Sequence, residues 1–161
     1  MTMGSVYAII GAALAVIVSG IGSAIGVGRA GQASSALLSK QPDKFGTTMI
    51  LQVMPSTQGL YGFVVAFMML IKLEAFGSNM AQLTDAQGWI MFAYCLPIAI
   101  VGLVSAIMQG NVAIGCINLV GKQENQIGHA IPMLVLVEIF AIFAFIVSIL
   151  GVMLFDISIA A

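Results

Sequence analysis

Glu138 stands alone among apolar residues in the run Met133-Leu-Val-Leu-Val-Glu138-Ile-Phe-Ala-Ile-Phe-Ala-Phe145. A lone carboxylate in hydrocarbon costs at least about 2.5 kcal/mol on insertion scales, so it needs a partner or a task. The stretch Leu51-Gln-Val-Met-Pro-Ser-Thr-Gln-Gly-Leu-Tyr-Gly-Phe63 offers partners. Met54, Thr57, Gln58 and Tyr61 follow the spacing i, i+3, i+4, i+7, which makes one face of a helix. Pro55 has no N–H and its ring strains the turn before it, leaving backbone carbonyls near Leu51 and Met54 as candidates for other partners. Gln109 lies twelve residues before Gly121, Gln58 fourteen after Lys44 and Glu138 sixteen after Lys122, so the three reach similar depths from one end. A hydroxyl, two amide oxygens, a phenol, a carbonyl and a carboxylate at one level form an oxygen set suited to a hard cation. Interhelical hydrogen bonding is the competing explanation, and for Gln109 or Thr57 taken singly it is equally good. The whole set at one depth, around a buried carboxylate, favours a cation site.

The elements that must hold this layer follow from composition. Of 161 residues, 61% are hydrophobic and 7% charged, far from the roughly 25% charged of a soluble domain. The charges bound four runs long enough to cross a bilayer: Ser5 to Gly28, Gly46 to Ile71, Gly88 to Gly121, and Ala130 to Phe155. Only the fourth contains a charge. These runs predict an all-α membrane protein of four transmembrane helices in two tandem hairpins. The first hairpin is residues 1–73, an extracellular connection follows over 74–87 with a turn at Gly77, Ser78 and Asn79, and the second hairpin is 88–161. No basic segment precedes the first run and no cleavage site follows it, so it is expected to be a retained helix. Arg29, Lys40, Lys44 and Lys122 flank two of the connections and Lys72 the other side. The positive-inside rule then places those two connections in the cytoplasm, and both termini outside the cell membrane.

The hairpins are related. Gly20-Ile-Gly-Ser23-Ala-Ile-Gly-Val-Gly28 aligns with Gly102-Leu-Val-Ser105-Ala-Ile-Met-Gln-Gly110 at a shift of 82, and the second helices align at a shift of 80, setting Phe63 on Phe143 and Gln58 on Glu138. An even number of spans per unit makes the repeat parallel. The alignment also extends the first helix past Arg29 toward Leu38. Pro42 marks the first cytoplasmic turn, and Lys122-Gln-Glu-Asn-Gln126 forms a short polar second one.

Other chemistries fit poorly. The small residues Gly20, Gly22, Ser23, Ala24, Gly26, Gly28, Ala30 and Gly31 let helix backbones approach closely around a crowded axis. A phosphate-cradling loop would need a preceding strand, and none is expected. Cys95 and Cys116 are 21 residues apart on one helix, roughly 30 Å at 1.5 Å per residue, too far to pair. His129, the single histidine, falls in a loop or at a helix start, so the cysteines are expected to be buried apolar thiols. No nucleophile, phosphate loop or metal-hydrolysis site is visible, and no nucleic-acid partner or organic cofactor is expected.

The Pro55-Ser-Thr-Gln-Gly-Leu-Tyr-Gly-Phe63 run, the Gln109-Gly pair, Val137-Glu138, the glycine-rich first helix and Gln41-Pro-Asp-Lys-Phe45 together resemble the proteolipid ring subunit, known as K or c, of V-type ATPases. The similarity is greatest to the bacterial sodium-translocating form. It implies a ring of identical subunits, each carrying one ion, turned by ATP hydrolysis in a separate sector through central-stalk subunits on the cytoplasmic side. It also implies a stator membrane subunit with an essential arginine, and lipid around the ring. Carried over by residue, Glu138 is the essential carboxylate, Thr57, Gln58 and Gln109 give side-chain oxygens to Na⁺, Met54 gives its backbone carbonyl, and Tyr61 hydrogen-bonds the carboxylate closed. Ser56 stands where the resemblance leads one to expect glycine, and its hydroxyl is expected to face away. Two rival functions remain open. The same rotor could carry H⁺ on the carboxylate alone, leaving the amides unexplained. A small multidrug exporter could use one membrane glutamate, although it would line it with aromatic faces for organic cations.

Overall fold

The computed structural model describes residues 2–77, 80–123 and 125–157. Ser78, Asn79 and Glu124, which the sequence assigns to turns, lie outside them. Four spans emerge. Helix α1 covers Met3–Leu38, a second span combines α2 (Phe45–Val53), a 3₁₀ turn (Met54–Ser56) and α3 (Thr57–Lys72), and α4 (Asp85–Lys122) and α5 (Ile127–Leu154) complete the fold. Each of the four spans is long and apolar enough to cross a membrane. Helix α1 does continue to Leu38; its 36 residues correspond to about 54 Å at 1.5 Å per residue, well beyond a hydrocarbon core of about 30 Å.

Local chemistry sets the ends. Thr84 and Gln87 close a capping box, the Thr84 hydroxyl accepting from the Gln87 N–H and the Gln87 carboxamide accepting from the Thr84 N–H. Helix α4 therefore starts at Asp85, inside the stretch read from sequence as connection, because the cap satisfies its first donors. At the opposite end Gln41 Nε2 donates to Gly121 O at 3.0 Å, joining the first turn to the end of α4. The second span is not the uniform helix that its composition predicts. Pro55 sits within the 3₁₀ turn, where a missing N–H breaks the regular ladder.

Helices α1 and α4 pack along most of their length, α3 lies against α1 and α5 against α4, while α3 also reaches both α4 and α5. Small residues make the α1–α4 seam possible. A Cβ on Gly22 would stand 2.6 Å from Leu103 O, and one on Gly110 2.5 Å from the Gly26 Cα, so the backbones touch where any side chain would intrude. Two apolar clusters fill the interior, one around Ala12, Val65, Met69 and Met91, the other around Leu51, Ala113, Ile117 and Leu134. Cys95 and Cys116 are free and buried on α4. His129 lies in the first turn of α5.

A buried polar layer between three helices

Between the two apolar clusters lies a layer of buried polar side chains. Gln58 and Gln109 are 0% exposed and Glu138 7%. The Tyr61 hydroxyl on α3 donates to Glu138 Oε1 on α5 at 2.7 Å, an ordinary length for an O–H···O bond. The Tyr61 ring stacks on Phe145, centroids 5.0 Å apart, so its direction is held by packing as well.

A second group spans α3 and α4. Gln58 Nε2 donates to Gln109 Oε1 at 2.8 Å and reaches Ser105 Oγ at 3.4 Å. Gln109 Nε2 donates to Leu134 O at 3.0 Å, and Ser105 Oγ to Val137 O at 3.0 Å. Both carbonyls belong to the α5 turn that leads into Glu138. Thr57 Oγ1 donates to Met54 O at 3.0 Å and lies 3.3 Å from Gln58 Oε1. The 3₁₀ turn also directs the Thr57 N–H at Met54 O. The Met54 carbonyl is thus engaged from its own helix, with the Thr57 hydroxyl between it and the amide.

All six residues predicted for the site therefore fall in one layer, in two connected sets: Tyr61 with Glu138, and Met54, Thr57, Gln58 and Gln109. Among the described residues no hydrogen bond joins the Glu138 carboxylate to either amide. Ser56 is not part of the layer; its hydroxyl donates to Val53 O at 2.7 Å. Among the described residues no group of three His, Cys, Asp or Glu side chains could hold a metal ion. What the layer could offer a cation is neutral oxygens and one carboxylate, a ligand type that suits a hard ion.

Sequence reasoning passed over two serines. Ser105 contacts Gln58 and Val137, and Ser23 Oγ accepts from the Gly59 N–H at 2.8 Å. The repeat alignment pairs these serines, and each touches the backbone beside a paired position, Gln58 or Glu138. That recurrence was the available signal.

Comparison with known proteins agrees with this architecture. The family model for the ATP synthase C subunit matches twice, over residues 10–69 and 92–151. The chain is 45% identical over 150 residues to the V-type sodium ATPase subunit K of Enterococcus hirae, covering 93% of this chain and 92% of that one. It is 37% identical over 141 residues to the A-type ATP synthase subunit K of Methanocaldococcus jannaschii, covering 88% and 59%. The 16 kDa proteolipid of the V-type proton ATPase from Nephrops norvegicus is 26% identical over 143 residues, covering 89% and 87%. With two matches to one family model and a relative aligned over nearly its whole length, the chain belongs to the ATP synthase C subunit family.

Proposed function

We propose that this chain is the rotor-ring subunit of a V-type ATPase and that it carries Na⁺ across the membrane on Glu138. The observation that carries the reading is the buried Glu138 carboxylate held by Tyr61 beside the Thr57, Gln58 and Gln109 oxygens. Support comes also from the 45% identity to a relative named for sodium, against 26% to one named for protons. Thr57, Gln58 and Gln109 supply side-chain oxygens to the ion, Met54 its carbonyl, and Tyr61 latches the carboxylate. The two hairpins, residues 1–73 and 88–161, act as one unit joined by 74–87, with the termini on the extracellular side.

In this mechanism bound Na⁺ neutralises Glu138 and lets the site pass through lipid. The emptied carboxylate is costly there, so the ion leaves only where a stator subunit offers an aqueous half-channel and a positive group, in this reading an arginine. Rotation driven by a separate ATP-hydrolysing sector, through a central stalk on the cytoplasmic side, moves the ion between two offset half-channels. It does so against about 2.3 kcal/mol per charge for each 100 mV. A ring with one carboxylate per four helices moves fewer ions per turn than one with a carboxylate in every hairpin, which favours ATP-driven pumping over synthesis.

Carbodiimide labelling of Glu138 in membranes, read by mass spectrometry across a pH series, tests the assignment. The reagent attacks a protonated carboxyl in an apolar setting. Protection by Na⁺ but not K⁺, competitive with protons, is expected. Labelling that follows pH alone would assign the rotor to H⁺.

A further inference from the structure

The geometry points to Ser105 as a positioning residue that decides which end of the Gln58 side chain faces the ion. The assignment rests on the sodium reading of Glu138 and concerns the same site. A carboxamide has an oxygen at one end and two N–H donors at the other. Presented to Na⁺, the oxygen binds and the NH₂ repels, so a half-turn of the amide converts a ligand into an obstacle.

Two backbone carbonyls of α5, which can only accept, set the polarity of the network. Leu134 O lies 3.0 Å from Gln109, so the Gln109 end there is Nε2 and its Oε1 turns toward Gln58. The Gln58 atom 2.8 Å from that oxygen must then be Nε2. Val137 O takes the proton of Ser105 Oγ at 3.0 Å, leaving the serine only lone pairs to offer Gln58 at 3.4 Å. Both constraints agree. Gln58 Oε1 is directed to Thr57 at 3.3 Å, one turn before Tyr61 and its carboxylate.

The two acceptors are not equivalent once an ion arrives. Gln109 Oε1 is itself a proposed ligand, so the cation competes with the Gln58 N–H for it. Ser105 faces no such demand, because its proton is committed to Val137. With the ion in place, Ser105 is the acceptor that keeps the Gln58 NH₂ turned away. Gln58 is fully buried, so no water replaces a lost acceptor. Without the hydroxyl, an ion that draws on Gln109 Oε1 leaves a buried Gln58 N–H short of an acceptor, which weakens the filled site relative to the empty one.

Four assembled rings are compared by carbodiimide labelling: wild type, Ser105→Ala, Ser105→Thr and Ser105→Val. The readout is the Na⁺ concentration that halves Glu138 labelling. Loss of one buried acceptor is expected to raise it about tenfold in Ser105→Ala. Thr and Val have nearly the same shape, so packing damage affects them alike and their difference reads the hydroxyl. Ser105→Thr is expected near wild type and Ser105→Val near Ser105→Ala. Equal values for Thr and Val, or an unchanged Ser105→Ala, would overturn the assignment while leaving the sodium reading standing. Absence of Na⁺ protection in the wild type overturns the sodium reading and this one with it.

Discussion

Tyr61 joins two helices through two contacts of different kinds, a 2.7 Å hydrogen bond to Glu138 and a ring stack on Phe145. Tyr61→Phe removes the first and keeps the second. A hydrogen bond to a charged oxygen is worth about 1.5–3 kcal/mol, so the variant should need roughly tenfold more Na⁺ or beyond to protect Glu138 from carbodiimide. An unchanged requirement would mean that the phenol packs α3 on α5 and has no part in holding the carboxylate. Glu138→Gln is a different case. It keeps shape and hydrogen-bonding capacity while deleting the charge, and Na⁺ binding by the solubilised ring should vanish, as equilibrium binding of radioactive Na⁺ would report. That these six residues share one layer was legible in the sequence because polar side chains in apolar spans are few and their depth can be counted from the charged ends. Their pairing was not legible. Helical spacing places Thr57 and Gln58 on one face but does not say that Gln58 bonds Gln109, or that the Thr57 hydroxyl lies within reach of both its own Met54 carbonyl and Gln58 Oε1.

The spans could be read from apolar length alone, but two features of the elements could not. Pro55 marked a weak point in the second span, and the remedy, a 3₁₀ turn directing two donors at Met54 O, depends on geometry that a single-residue signal does not carry. The other feature is Lys72. As the last residue of α3 it reads as an interfacial charge, yet its ammonium donates to Val152 O at 2.7 Å, Met153 O at 2.8 Å and Phe155 O. These carbonyls lie at the C-terminal end of α5, where a helix lacks intrahelical donors and favours positive charge. Lys72→Met keeps the apolar stem and removes the cap. The loss should be about 1–2 kcal/mol, seen as a lower Tm of the solubilised ring, with Na⁺ protection of Glu138 little changed since the site lies several turns away. Gly110→Ala should be more severe. Its Cβ would meet the Gly26 backbone at 2.5 Å, which no rotamer change relieves, so intact ring should be lost on gel filtration.

At the scale of the whole molecule, two matches to one family model imply two copies of one hairpin, and a simple doubling would give two ion sites. The structure does something else with the pair of equivalent positions. Gln58 of the first copy and Glu138 of the second both face the buried layer, linked through Ser105, whose hydroxyl touches Gln58 on one side and the Val137 carbonyl on the other. The first copy has an amide where the second has a carboxylate, and its Thr57, Gln58 and Tyr61 on α3 lie in the layer that holds Glu138. Restoring the carboxylate tests this sharing. If each hairpin retained its own cage, Gln58→Glu would add a second Na⁺ per chain. In a shared cage two cations would repel at short range in a medium that screens poorly, so the second carboxylate should take a proton instead. Equilibrium binding of radioactive Na⁺ to solubilised rings should give one ion per chain for wild type and Gln58→Glu alike. Two ions per chain in the variant would show that the ancestral site persists beside the present one and that the layer is two sites in contact.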